Sequence, residues 1–205
     1  LNAINLIDGL DGLAGGISII ITLSFIAFSL MSGLLISDIY ILFILLGALI
    51  AFIIYNKPPA QTFLGDSGSL FIGWVFAISS LVYAQKISFS SSILIPIMLL
   101  GLPAFDVIFV MLKRFNDKPH YKLKERLKSV FHPDNNHLHH LILLSGTSKR
   151  IAIIILYIVT ILTNIIAFYL YMNSINFVYG IILILILIFL TRYLFLLKIK
   201  QNKRI

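Results

Sequence analysis

The sequence contains no cysteine, which excludes disulfides and thiolate metal sites. Charge is scarce: 12% of the 205 residues are Asp, Glu, Lys or Arg. Only eight are acidic, and no two carboxylates are adjacent anywhere. Polar stretches are nearly absent too; Lys113–Arg150 is the one long polar segment. What fills the chain is apolar: 60% hydrophobic residues and a mean hydropathy of +1.02. A soluble domain of this size needs far less. The apolar runs are long enough to cross a bilayer, which takes ~20 helical residues. The expected fold is therefore all-α, a polytopic helical membrane protein forming one membrane domain over residues 1–205. The net charge of +8 is clustered, which reads as membrane topology and not as nucleic-acid binding.

Six spans are expected: Ile17 to about Leu35, Asp38–Tyr55, Ser67 to about Ala84, Ile93–Leu112, Ile151–Met172 and Phe177–Leu197. The fourth is interrupted by Pro96, Gly101 and Pro103 and contains Asp106. The basic loop between Lys113 and Arg150, with the basic tail Lys198–Arg204, is assigned to the cytoplasmic side. Counting back through the spans puts Asp8, Asp11, Asp66, Asp106 and the histidines at or near that same face. Leu1 is not a start methionine, Asn2 already lies inside a polar motif, and no signal peptide is evident. The chain is expected to begin within a larger protein.

Asp66 stands in the polar interruption Pro58–Ser69, flanked by Gly65 and Gly68, with an apolar run directly after it. A carboxylate this close to a bilayer is costly and is usually paired, metal-bound or functional. The pattern puts Asp66 near a helix N-terminus, where helix capping is the simpler explanation. Residues 1–16 carry Asn2, Asn5, Asp8 and Asp11 at spacings of three, about one helical turn apart. Glycines 9, 12, 15 and 16 argue against a plain helix and for close backbone approach.

The loop His132-Pro133-Asp134-Asn135-Asn136-His137-Leu138-His139-His140 places three histidines within four positions. A metal, an anion or a proton would suit it; a pH sensor is another reading, and a solvated polar loop is the bland one. Zinc is disfavoured by the absence of cysteine and of a His-Glu-x-x-His pattern. Asp8, Asp11 and Asp66 are hard oxygen donors that suit Mg²⁺, with Mn²⁺ as the alternative. Such an ion beside basic and imidazole groups is equipment for phosphoryl transfer. Asp106, in an apolar span, reads equally as a buried hydrogen-bond partner or a substrate contact.

Three motifs, in order, cover nearly the whole chain: Asn2-x-x-Asn5-x-x-Asp8-Gly9-x-Asp11-Gly12-Leu13, Pro59-Ala60-x-x-Phe63-Leu64-Gly65-Asp66-Ser67-Gly68-Ser69, and the histidine run 132–140. Together they resemble the polyprenyl-phosphate N-acetylhexosamine-1-phosphate transferases (glycosyltransferase family 4). The histidine run is closer to the undecaprenyl-phosphate N-acetylglucosaminyl-1-phosphate transferases than to the phospho-N-acetylmuramoyl-pentapeptide transferases. The resemblance implies transfer of a sugar-1-phosphate from a UDP-N-acetylhexosamine to undecaprenyl phosphate, releasing UMP. That is a first membrane step of a cell-envelope glycan such as O-antigen or teichoic acid, at the cytoplasmic face of a bacterial plasma membrane. It implies Mg²⁺ at Asp66 with Asn5, and Asp8 and Asp11 lining the nucleotide and metal site. It also implies uracil stacking on Phe63 beside Asn56, and sugar or diphosphate contacts from His137, His139 and His140. A homodimer is implied as well.

Two features depart from the pattern. The family's adjacent-aspartate motif on an earlier cytoplasmic loop is missing, as are its first four or five spans, so the fragment alone is expected to be inactive. Asn135 replaces a common basic residue, and Asn116–Val130 is longer than usual. Other classes remain: a transporter would spread acidic residues through the membrane depth, and a catalytically dead scaffold would need none of them.

Overall fold

The computed structural model describes residues 2–86, 89–116, 136–173 and 175–202. Asp117, Lys118, Lys122, Lys124, Arg126, Lys128, the His132–Asn135 part of the third motif, and Lys203 and Arg204 lie outside the described residues. All regular structure among the described residues is helical. In chain order the helices are α1 (Asn2–Ile7), α2 (Leu13–Met31), α3 (Ile36–Asn56), α4 (Gly65–Lys86), α5 (Phe89–Leu99), α6 (Gly101–Asn116), α7 (Leu138–Leu144), α8 (Lys149–Met172) and α9 (Phe177–Asn202). Five of these, α2, α3, α4, α8 and α9, are long and apolar enough to cross a membrane. The chain is an all-α, multi-pass membrane protein.

The expected fourth span is not one helix. α5 and α6 meet at Leu100, a turn residue. The cause lies in the sequence: Pro103 has no N–H to return to the Leu99 carbonyl, and Pro96 already interrupts α5. The break lets α6 leave at its own angle, with Asp106 one turn into it.

α2 is the central helix. Its span is 72% buried, against 22% for α3 and α9, whose outer faces carry exposed Ile, Leu, Phe and Tyr. Small residues make that position possible, because without a hydrophobic drive between helices in lipid, close backbone approach and packing decide association. A Cβ on Gly16 would fall 1.9 Å from the Tyr157 Oη of α8, and one on Gly15 would fall 3.2 Å from the Phe52 ring of α3. The hydroxyls of Thr22 and Ser29 donate to carbonyls one turn back, at 2.6 and 2.7 Å, so they cross the apolar interior satisfied. Phe25 stacks on Phe76 of α4 at 5.6 Å, and Tyr83 Oη donates to the Phe25 carbonyl at 3.0 Å. The helices that carry the polar motifs are thereby held around one frame.

Candidate active site

α1 stops at Ile7 because the next five residues, Asp8-Gly-Leu-Asp-Gly12, form a turn. Gly12 sits at φ 81°, in the left-handed region where a Cβ is strained. Two other elements pin this turn. The Gly12 N–H donates to Asn56 Oδ1 at 2.9 Å, and Tyr157 Oη donates to the Gly12 carbonyl at 2.5 Å. Asp8 and Asp11 are therefore presented from a braced loop and not from a continued helix face.

α4 begins at Gly65, itself at φ 60°, and puts Asp66 in its first turn. The Asp66 carboxylate does not cap its own helix. Its Oδ1 accepts from Asn5 Nδ2 of α1 at 2.9 Å, and the same amide reaches the Ser69 hydroxyl at 3.0 Å. Ser69 is buried and donates back to the Gly65 carbonyl at 2.8 Å. Asn5 thus ties α1 to the start of α4, across 61 residues of sequence. Asp8 lies beside this pair, half-buried. Burial, and then the Asp66 carboxylate, push its carboxyl above the ordinary range.

The loop between α3 and α4 is held from below. Asn56 is buried, and its amide is used at both ends, accepting from Gly12 N and donating to the Thr62 carbonyl at 2.8 Å. The side chain expected at the uracil is thus the brace between the two acidic loops. Asp11 accepts from the Ala60 N–H at 3.1 Å and adjoins a groove walled by Ile53, Ile153 and Ile154, with Lys57 and Arg150 at its edge. Phe63 projects from the same loop, 69% exposed.

The histidines arrive from the other end of the chain. Asp106 of α6 is 1% exposed and receives three donors: His137 Nδ1 at 2.9 Å on Oδ2, and the Leu138 N–H at 3.0 Å and Arg192 Nη1 at 2.5 Å on Oδ1. Arg192 Nη2 also donates to the Asn136 carbonyl at 2.7 Å, and Lys113 Nζ donates to the Asn136 side-chain oxygen. These contacts seat α7 so that His139 lies over Gly9: a Cβ there would be 2.6 Å from His139 Nε2. Gly9 follows Asp8, so the third motif meets the first. His140 packs beside His139, ring centroids 4.1 Å apart. Burial, then the His140 and His137 rings, outweigh the opposing pull of Asp106 and push His139 down to about 4.

The structure therefore brings Asn5, Asp8 and Asp66 together, seats His139 over Gly9, places Asp11 and Phe63 on the adjoining loops, and holds His137 on Asp106. Among the described residues, no group of three or more His, Asp or Glu side chains is arranged to hold a metal ion. The open oxygens are the Asn5 carbonyl, the exposed Asp66 carboxylate and Asp8. They form a hard set that fits a divalent cation retaining waters. Sequence reasoning missed Arg192. Its signal was there: a single arginine inside an apolar span has to find a partner.

Residues 1–84 match the family model for Glycosyl transferase family 4. The chain is 39% identical over 158 residues to a probable undecaprenyl-phosphate N-acetylglucosaminyl 1-phosphate transferase of Bacillus subtilis, covering 77% of this chain and 41% of that protein. It is 32% identical over 178 residues to the decaprenyl-phosphate N-acetylglucosaminephosphotransferase of Mycobacterium tuberculosis, with the same coverage. Against the phospho-N-acetylmuramoyl-pentapeptide-transferase of Staphylococcus epidermidis the identity is 46%, over 89 residues covering 42% of this chain and 27% of that protein. The chain spans about two fifths of the length of the first two. The family-model match covers the two acidic motifs that Asn5 joins, so residues 1–84 are similar to glycosyl transferase family 4, and the relatives extend the likeness to 77% of the chain.

Proposed function

We propose that this chain carries part of the active site of a polyprenyl-phosphate sugar-1-phosphate transferase. The reaction moves N-acetylhexosamine-1-phosphate from a UDP-sugar to undecaprenyl phosphate. An acceptor phosphate oxygen bonds to the sugar-bearing phosphorus, the bond between the two donor phosphates breaks, and UMP leaves. The names of the relatives support the acceptor and the sugar class. The basic residues at the ends of α6, α8 and α9 support a cytoplasmic site at a bacterial plasma membrane, as part of cell-envelope glycan synthesis.

The single observation that carries this reading is the Asn5–Asp66 contact, with His139 seated over the turn that presents Asp8. The first two motifs thereby meet through their side chains, and the third touches the backbone next to Asp8. The Asp66 carboxylate and the Asn5 carbonyl would hold Mg²⁺, or Mn²⁺, which supplies charge neutralisation on the diphosphate when bound. Asp8, whose carboxyl is raised, is suited to take or release a proton near the site. His139, neutral at pH 7, offers hydrogen bonds without adding charge, and His140 extends that surface. Exposed Phe63 offers a face on which the uracil can stack, and Asp11 lines the same side.

The test is UMP release by the complete gene product, supplied with UDP-N-acetylglucosamine, undecaprenyl phosphate and Mg²⁺. Asp66→Asn should lower the rate by roughly 100-fold or more, with the protein still folded. Release unchanged in that variant would remove the reading.

A further inference from the structure

We infer that Asp106 and Arg192 are positioning residues for His137, fixing its ring as the Nδ1–H tautomer with Nε2 left open. The inference rests on the reading above, in which the histidine motif meets the substrate.

Three donors converge on one buried carboxylate, and the carboxylate has no proton to return. The hydrogen on the His137–Asp106 contact must therefore sit on Nδ1. His137 is 3% exposed, and its Nε2 is buried without a partner among the described residues. An orphaned buried polar nitrogen costs about 1–3 kcal/mol. Folding alone gives no reason to keep it.

Capping is the bland account of Asp106, because it accepts the Leu138 N–H at the first turn of α7. Capping explains neither Arg192 nor the ring. An arginine in an apolar helix is expensive, and this one donates to two groups that belong to His137's support, the Asp106 carboxylate and the Asn136 carbonyl. It also lies over the Phe109 ring, 5.7 Å from the centroid.

Charge counting gives the reason for the pair. Asp106 and Arg192 sum to zero. Among the described residues, the other titratable groups near His137 are His139, its ring centroid 6.1 Å away on α7, and Lys113 of α6, which donates to the Asn136 side chain. Without Arg192 the buried carboxylate is uncompensated and loses one of the two donors that fix its Oδ1. Without the Asp106 charge, nothing selects Nδ1–H over Nε2–H. A fixed tautomer decides whether Nε2 meets a ligand as acceptor or donor.

The experiment uses the complete gene product labelled with ¹⁵N-histidine and long-range ¹H–¹⁵N correlation at neutral pH. The chain has only five histidines, and His137→Phe identifies the ring. The expected wild-type signature is a ring that carries its hydrogen on Nδ1. Asp106→Asn should populate the Nε2–H form, Arg192→Met should weaken the Nδ1–H preference, and Arg192→Lys should restore it. UMP release should fall by about 10- to 100-fold in Asp106→Asn, seen in kcat more than in KM, and recover in part in Arg192→Lys relative to Arg192→Met. A wild-type Nε2–H ring, or a ring unchanged in both Asp106→Asn and Arg192→Met, overturns the inference; the wild-type spectrum decides even if a variant fails to fold. A ring that changes while kcat does not removes the pair from turnover. A wild type that releases no UMP, yet shows the Nδ1–H ring, counts against the proposed reaction and not against the tautomer lock.

Discussion

His139 rests on Gly9: any Cβ at that position would meet the ring nitrogen Nε2 at 2.6 Å. This is where the histidine motif touches the acidic turn, and nothing larger than glycine leaves room. Gly9→Ala is expected to cost about 1–3 kcal/mol by overpacking and to reduce UMP release. In a His139→Ala background the same change should cost at least ~1 kcal/mol less, a coupling that a double-mutant cycle of thermal stabilities would read. Additive effects would mean the two residues do not press on one another.

The pH dependence of stability follows from His139. Its folded-state value is pushed down to about 4 from an ordinary 6.5, so the unfolded chain binds the extra proton between those limits. Stability is fully present above the unfolded value. It is lost as pH falls through the window from 6.5 toward 4, by on the order of 3 kcal/mol. Melting temperature measured in detergent across that range should drop, and His139→Phe should flatten the slope. A slope of the same size in that variant would assign the effect to another group.

Divalent-cation binding should weaken with acid earlier than an ordinary carboxylate pair would predict. Burial and the nearby Asp66 charge raise the Asp8 carboxyl, so it takes up a proton above the usual carboxylate range. Mn²⁺ titration followed by EPR should show affinity falling as pH is lowered from about 7 toward 5. Asp8→Asn should shift that fall to lower pH, and Asp66→Asn should remove most of the affinity at every pH. Identical curves for wild type and Asp8→Asn would exclude Asp8 from the cation's surroundings.

Gly16 of α2 faces the Tyr157 side chain of α8. A Cβ there would lie 1.9 Å from Tyr157 Oη, whose hydroxyl is already engaged with the Gly12 carbonyl. Gly16→Ala should therefore destabilise by roughly 1–3 kcal/mol and loosen the acidic turn. Tyr157→Ala removes the ring as well as the oxygen, since Cζ at 2.3 Å and Cε1 at 2.7 Å would also crowd the new Cβ, and should recover part of the loss when combined with it. Thermal unfolding of the two single variants and the double variant decides the matter; a double variant no more stable than Gly16→Ala would place the strain elsewhere.

Much of this was legible from composition and pattern. Long apolar runs permit only helices in lipid, since every backbone group must be satisfied within the segment, so the helical class followed directly. The ends of α3, α8 and α9 fell within two to five residues of the expected limits, because polar residues bound those runs sharply. Asp66 was expected at a helix start and stands in the first turn of α4. The fourth span was expected to be interrupted at Pro96, Gly101 and Pro103, and the chain does break there, into two helices on either side of Leu100. Asn56, expected at the substrate, also braces two loops, a role that depends on Gly12 lying opposite it.

The sequence by itself determined the helical class, most of the spans and the identity of the motifs, because periodicity and hydropathy act locally. Only the tertiary structure decided which side chains meet. Asn5 finds Asp66 across 61 residues, His137 finds Asp106 across 31, and Arg192 finds Asp106 across 86. No local pattern encodes those pairings. They follow from how closely α1, α4, α6, α7 and α9 can approach one another, and that closeness is set by glycines, a proline break and the cost of leaving a charge unpaired at membrane depth.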